Sequence, residues 1–290
     1  MALARATDVR RDLLIWEAFA DWRLKIGRLL TPTLKSKLKQ HLRQFSPVIG
    51  SEDTWKWIGS STLCNQLEEA EIKLAASLAN FRCCGYHGCR PTNFESYFQN
   101  GIRRLNSDHH AAALWNLIMT DPRLHTCRQK DQFSKLKREF MDGIDNGYTY
   151  LALDFRFMKA NAGHYLIWGS ELWSAMLLHL GGDPARQVLK TIGVPTVFTV
   201  HFPLSFISES TRLYLARTLL HVWVEHLQGT LDELPPRDFS FRVPRDIEPQ
   251  WITGHFHPAI VPYPCGLGHG AYDNPYLICQ ACRPGTQAMD

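Results

Sequence analysis

"GYHGCRPTNFESYFQNGIRR", residues 85–104, is the stretch on which the reading of the fold turns. An apolar run ends in His87 and Gly88. Glycine allows another group to approach the backbone closely, and the imidazole beside it supplies a hydrogen-bonding ring at the same spot. Thr92 is then placed to cap a helix whose inner face carries Phe94, Tyr97 and Phe98, and Gly101 is placed to end that helix with a backbone only glycine adopts easily. A strand that merely fills a core has little use for this order of strand, His-Gly, helix and glycine. It reads as the corner of a pocket.

Upstream, residues 8–30 carry Leu13, Leu14, Trp16, Phe19, Trp22, Leu24 and Ile26 at spacings of three and four, which predicts an amphipathic helix capped near Asp8. A second helix is predicted from Thr33 to about Phe45. A third is predicted from about Gln66 to Asn80, with Glu68, Glu69 and Glu71 in its first turns. Residues 1–80 thus read as a helical N-terminal extension. Beyond them, short apolar runs at 81–87, 148–155, 195–202 and 238–243 predict strands, and 92–100, 108–119, 131–145, 170–180, 184–192 and 207–228 predict helices. The strands are separated by unequal helical insertions and no repeat is visible, so the pattern predicts an α+β body rather than a regular barrel or solenoid. "GTLDELPPRD", residues 229–238, reads as a linker.

With 290 residues and 45% hydrophobic content, the chain has enough apolar material for a continuous core. Its 32 basic and 28 acidic residues leave a formal charge of +4, which permits a nucleic-acid or nucleotide partner without requiring one. No run of about 18 apolar residues occurs, and charges interrupt the N-terminal segment, so a cytoplasmic protein with no membrane partner is expected. In that compartment the eight cysteines are expected to be thiols or metal ligands rather than disulfides.

The C-terminal cysteines are the informative ones. "CGLGHGAYDNPYLICQAC" offers Cys265 and His269 as a C-x3-H pair, and then Cys279 and Cys282 as a C-x2-C pair. Two thiolate and imidazole pairs joined by a short loop suit a tetrahedral structural zinc, and His255 or His257 is near enough in sequence to replace one ligand. Residues 261–290 are therefore read as a small Cys/His appendage.

The run Tyr86-His87-Gly88-Cys89-Arg90, with Asn93 and then Asn100-Gly101-Ile102, resembles the start of the catalytic domain of the poly- and mono-ADP-ribosyltransferases. "GYTYLALDFRFMKANAGHYLIWGSE" resembles that family's second element, and "VPRDIEPQWITGHFHP" the stretch closing the sheet in bacterial relatives. The resemblance implies an ADP-ribosyltransferase-like split β-sheet over residues 81–260 that takes NAD as substrate. It implies that His87 bonds the adenosine ribose and the Gly88 backbone the nicotinamide amide, with Arg90 beside the dinucleotide. Tyr150 would stack on nicotinamide and Tyr165 would be the second aromatic, with Ser170 and Glu171 opening the next helix. A carboxylate stabilising the oxocarbenium-like ribose is expected within about 229–260, where Glu233, Asp238 and Glu248 stand, and Glu248 is the candidate. Cys89 departs from the family's usual Thr or Ser. Bacterial relatives act as toxins, effectors or antiphage factors, so the implied partners are a protein or nucleic-acid acceptor and an antitoxin or regulatory protein. Two other readings of the chain are a nucleic-acid-binding or processing protein with a zinc-bound tail and no NAD chemistry, and a partner in a complex that docks through its N-terminal helices.

Overall fold

The computed structural model describes residues 12–29, 32, 35–36, 62–141, 147–228, 233–264, 270–279 and 282. In chain order the elements are β1 (Leu13–Leu14), α1 (Phe19–Leu29), α2 (Thr62–Leu78), β2 (Arg82–Cys89), α3 (Phe94–Asn100), α4 (Ser107–Thr120) and α5 (Lys130–Met141). They continue with β3 (Thr149–Ala152), α6 (Phe155–Asn161), α7 (His164–Ile167), α8 (Glu171–Gln187), β4 (Thr196–Pro203) and α9 (Glu209–Gln228). The last are β5 (Ser240–Val243), β6 (Ile252–Phe256), β7 (Ile260–Pro262) and β8 (Ala271–Asp273). The protein is thus mixed α and β. Its sheet runs in the order β5-β3-β2-β4-β6, with β1 paired to β2, and β7 and β8 form a separate hairpin. Pairs β2–β3, β3–β5 and β4–β6 are antiparallel.

The chain divides into two compact units. The first comprises residues 1–84 and 202–236, and the second 85–201 and 237–290. In the first unit the buried faces of α2 and α9, including Leu74, Leu78, Leu215, Leu219 and Val222, form the core. Helix α9, expected as part of the transferase-like body, belongs here. Helix α2 begins at Thr62 rather than Gln66, so Glu71 lies beyond its first turns; it is buried and paired with Arg217 at 3.2 Å. The expected helix over 8–30 is only partly present. Arg82 N–H bonds the Asp12 carbonyl at 2.8 Å and Leu13 and Leu14 pair with Arg82 and Cys83, so β2 draws this segment into a strand and α1 starts only at Phe19. The cap expected at Asp8 lies outside the described residues, as does nearly all of the helix expected over 33–45.

In the second unit the core is an apolar cluster of α4, α5, α7 and α8 with β4, built around Leu114, Ile118, Leu166, Met176, Leu177 and Val197. The four expected strands are β2, β3, β4 and β5. The helix after the His-Gly pair is α3, but Asn93 caps it, its side chain accepting from the Ser96 N–H at 3.2 Å, in place of Thr92. Gly101 has φ of 76°, and a Cβ there would lie 1.8 Å from the Ile247 carbonyl oxygen. Its glycine is needed both for backbone angle and for space.

Arg90, just past β2, organises this unit. Nε donates to the Ile192 carbonyl at 2.9 Å, Nη1 to the Leu166 carbonyl at 2.9 Å and the Tyr272 hydroxyl at 3.5 Å, and Nη2 to the carbonyls of Lys190 and Gly193. All five guanidinium donors are thus engaged, so the residue expected beside a dinucleotide instead ties β2 to α7, to the turn before β4 and to β8. Gly193, at φ of 64°, lets that turn approach: a Cβ would meet the Arg90 carbonyl oxygen at 2.4 Å. Replacing the planar fork by an ammonium, which has three donors, leaves at least two of the five acceptors without one, each costing about 1–3 kcal/mol. Arg90→Lys is expected to lower the urea-unfolding free energy by about 2 kcal/mol or more. An unchanged midpoint and slope would show that the clamp contributes nothing.

Candidate functional site

The chemistry-bearing residues gather in two places in the second unit. The first is at the end of β6. His255 and His257 are two residues apart, so an extended chain points both rings to one side. His257 Nδ1 donates to the Pro195 carbonyl at 2.9 Å, which fixes the tautomer and leaves Nε2 with its lone pair. That Nε2 is buried and has no hydrogen-bond partner among the described residues. The C-terminal segment returns to this point through the β7–β8 hairpin, whose register sets Asp273 against Ile260. Buried Asn274 closes the return: its N–H bonds the Ala259 carbonyl at 2.8 Å, and its side-chain amide donates to the Pro258 and Tyr276 carbonyls, each at 3.0 Å.

Cys279 and Cys282 then arrive beside the histidines. Cys282 N–H bonds the Cys279 carbonyl at 3.0 Å, curling the C-x2-C segment so that its sulfurs lie 3.6 Å apart. His255 Nε2 is 3.3 Å from Cys279 Sγ and 3.5 Å from Cys282 Sγ. One ligand atom from each of His255, His257, Cys279 and Cys282 lies within 4.8 Å of all the others. A tetrahedron with metal–sulfur bonds of about 2.3 Å and metal–nitrogen bonds of about 2.0–2.1 Å has edges of roughly 3.3–3.8 Å, so these spacings leave room for one ion. Burial lowers the pKa of both histidines; His257 lowers that of His255 further, while the Pro195 bond only partly offsets burial at His257, so both are presented as neutral ligands. Phe94 of α3 packs on both rings, with centroids 5.8 Å from His255 and 5.6 Å from His257, and Phe98 lies 5.6 Å from His255. This group could hold a metal ion, with Phe94 and Phe98 as an apolar wall on its histidine side.

Of the four ligands expected from sequence, the structure brings Cys279 and Cys282 together, while Cys265 and His269 lie outside the described residues. His255 and His257, expected only as replacements, complete the set. Their signal was a His-x-His at strand spacing, hidden because residues 252–256 were not recognised as a strand.

The second place is the β2–β3 junction. Here the His87 ring nitrogen Nδ1 lies 3.0 Å from the Tyr150 carbonyl oxygen, on the neighbouring antiparallel strand. Because a carbonyl can only accept, Nδ1 carries the proton, and burial lowers the pKa of the ring and keeps it neutral. Tyr150 is 37% exposed. Tyr165 on α7 is close enough to Tyr150 to feel its charge, and burial first, then Glu171, pushes the Tyr165 hydroxyl up to about 12. Its hydroxyl lies 3.5 Å from Glu171, which also stands 3.8 Å from His164. The sequence marks Glu171 only as the opening of a helix, and His164 not at all. Glu171 opens α8 directly after the Ser170 cap, and only the tight Trp168–Gly169 turn brings it back to Tyr165.

The other expected residues are placed differently. A Cβ on Gly88 would touch Met158 and Leu166 at 3.4–3.5 Å, so this glycine faces packed side chains of α6 and α7. Cys89 is buried, which raises its thiol pKa to about 12 and makes it inert as a nucleophile. Glu248 follows β5 in other company, accepting from Gln250 and lying 3.6 Å from Arg245. Comparison with protein-family models, with curated proteins and with solved structures finds no match for this chain. No helix among the described residues is long and apolar enough to cross a membrane.

Native mass spectrometry after zinc exposure is expected to find one bound ion, lost in Cys279→Ser and in His257→Ala and kept in a Cys265→Ser, His269→Ala double variant. Retention in the first two, or loss in the third, would assign the ion elsewhere.

Proposed function

We propose that this chain is an NAD-dependent ADP-ribosyltransferase with a structural zinc ion. The observation that carries the NAD reading is the bond between the His87 ring and the Tyr150 backbone carbonyl: the two residues that the family resemblance assigns to NAD meet on adjacent strands, and Tyr165, with Glu171 at its hydroxyl, is near Tyr150. Each has a distinct task. With its Nδ1–H held by the Tyr150 carbonyl, neutral His87 keeps Nε2 as acceptor for a ribose hydroxyl. The exposed Tyr150 ring supplies a stacking face for nicotinamide. As the glycosidic bond loosens, positive charge develops on the ribose, and a nearby carboxylate stabilises it. The carboxylate among the tyrosines is Glu171, so Glu171 and Glu248 are the two contenders for that role. The reading carries the biological setting of a toxin, effector or antiphage factor that modifies a protein or nucleic acid.

Zinc is favoured over harder ions because two thiolates and two imidazoles match its softness and fill a tetrahedral shell. Four protein ligands leave no position for substrate, so the ion supports the fold of the β6 end, the C-terminal segment and α3 rather than the reaction. The same centre would serve a nucleic-acid-binding protein without NAD chemistry.

A nicotinamide-release assay tests the proposal. The wild-type protein is expected to consume NAD, and His87→Ala to reduce turnover at least about 100-fold with its circular dichroism unchanged. Tyr150→Phe should keep most activity and Tyr150→Ala should lose it, while the more damaging of Glu171→Gln and Glu248→Gln identifies the carboxylate. Undiminished turnover in folded His87→Ala, or no turnover by the wild-type protein, would refute it.

A further inference from the structure

Beside Tyr150, arginines and aromatic rings alternate on one surface. In the β3–β5 register Tyr150 is paired with Arg242, so the two side chains share a face. The Arg242 guanidinium lies 4.7 Å from the centre of the Tyr148 ring, and that of Arg245 lies 5.7 Å from the Trp251 ring. Asp246 gathers two more arginines: Arg103 Nη1 donates to it at 2.9 Å, and Arg104 donates through its backbone N–H at 2.8 Å and through Nε at 3.3 Å. The Arg104 backbone N–H first, and then both arginine side chains, hold this carboxyl below its ordinary pKa, so it stays ionised and keeps the pair in place.

Backbone bonds tie together the segments that carry these side chains. Leu105 N–H bonds the Tyr148 carbonyl at 2.9 Å, the Thr149 hydroxyl bonds the Arg245 carbonyl at 3.0 Å, and Ile102 and Ile247 exchange two bonds of 2.9 Å. Between them lies a hollow of about 460 Å³ lined by Arg104, Pro244, Arg245, Asp246 and Glu248. Arg103 and Arg104 are 68% and 51% exposed at the side chain, and Arg245 is 45% exposed. Arg103, Arg104 and Arg245 thus pair with two carboxylates, and Arg242 lies over Tyr148.

We infer that this surface, formed by Arg103, Arg104, Tyr148, Arg242, Arg245 and Trp251, binds single-stranded nucleic acid. Arginine forks match the geometry of phosphate oxygens. Rings paired with guanidinium planes offer stacking surfaces to bases, which an acidic peptide has no group to use. A duplex keeps its bases stacked on one another and leaves such rings without partners. The surface adjoins Tyr150, so under the NAD reading it would seat a nucleic-acid acceptor, but binding itself requires no NAD and stands apart from that chemistry.

Fluorescence anisotropy with short labelled single-stranded DNA and RNA, their duplexes and polyglutamate, measured without NAD between about 50 and 200 mM salt, tests this. The single strands are expected to bind at least about tenfold more tightly than the duplexes, with polyglutamate not binding. Affinity should fall with salt, and the logarithmic slope should drop by about 0.7 for each of Arg103→Gln, Arg242→Gln and Arg245→Gln. Trp251→Ala should weaken binding at every salt concentration and leave the slope unchanged, because stacking displaces no counterion. Polyglutamate binding with no single-strand binding would make this a protein-docking face. Absence of binding, equal affinity for duplex, or slopes unmoved by the folded arginine variants would overturn the inference. Loss of NAD turnover alone would not.

Discussion

The five hydrogen bonds of Arg90 are the constraint on which the second unit depends. A guanidinium buried at the end of the central strand has, among the described residues, no carboxylate partner but four carbonyl oxygens and a tyrosine hydroxyl. Burial pulls its pKa below the ordinary arginine value, which is the electrostatic trace of that cost, and the fold offsets it by meeting every donor. The acceptors come from α7, from the turn before β4 and from β8. The same contacts that solvate the charge therefore fix the helix carrying Tyr165, the entry into the strand beside β2, and the hairpin that brings back the C-terminal cysteines.

From there the two candidate sites are set by different physics. The His87–Tyr150 junction is made by strand pairing and sits where a side chain can remain exposed. The His/Cys group is made by a long return of the chain, and little apolar burial is available to hold it: Tyr276, Leu277 and Ile278 are all exposed. What converges instead are four good metal ligands, one of them a buried imidazole nitrogen without a partner among the described residues. An orphaned acceptor of that kind costs about 1–3 kcal/mol unless something satisfies it, and an ion there turns the cost into folding free energy. Phe94 and Phe98 carry the effect into α3, the helix that follows the His-Gly strand.

Much of this arrangement was legible in the chain. The four strands β2 to β5 and the helix closed by Gly101 follow from apolar periodicity and turn residues, which are local signals. The failures were of long range. Leu13 and Leu14 have helical spacing, but pairing with β2 takes them. Glu71 looked like a favourable first-turn acid and is a buried partner of Arg217. Arg90 looked like a ligand-binding residue because a sequence does not display which carbonyls will surround it. Cysteine spacing pointed to a metal at Cys279 and Cys282, yet the histidines beside them arrive from a strand more than twenty residues earlier, and only the hairpin return makes them neighbours.

The central claim is that four side chains from β6 and the C-terminal segment form one closed zinc site that secures this end of the unit. X-ray absorption at the zinc edge of the intact, zinc-loaded protein tests it most directly. The account predicts a four-coordinate shell of two sulfurs at about 2.3 Å and two imidazole nitrogens at about 2.0–2.1 Å. A shell with three sulfurs, one dominated by oxygen, or a protein that retains no zinc would contradict it.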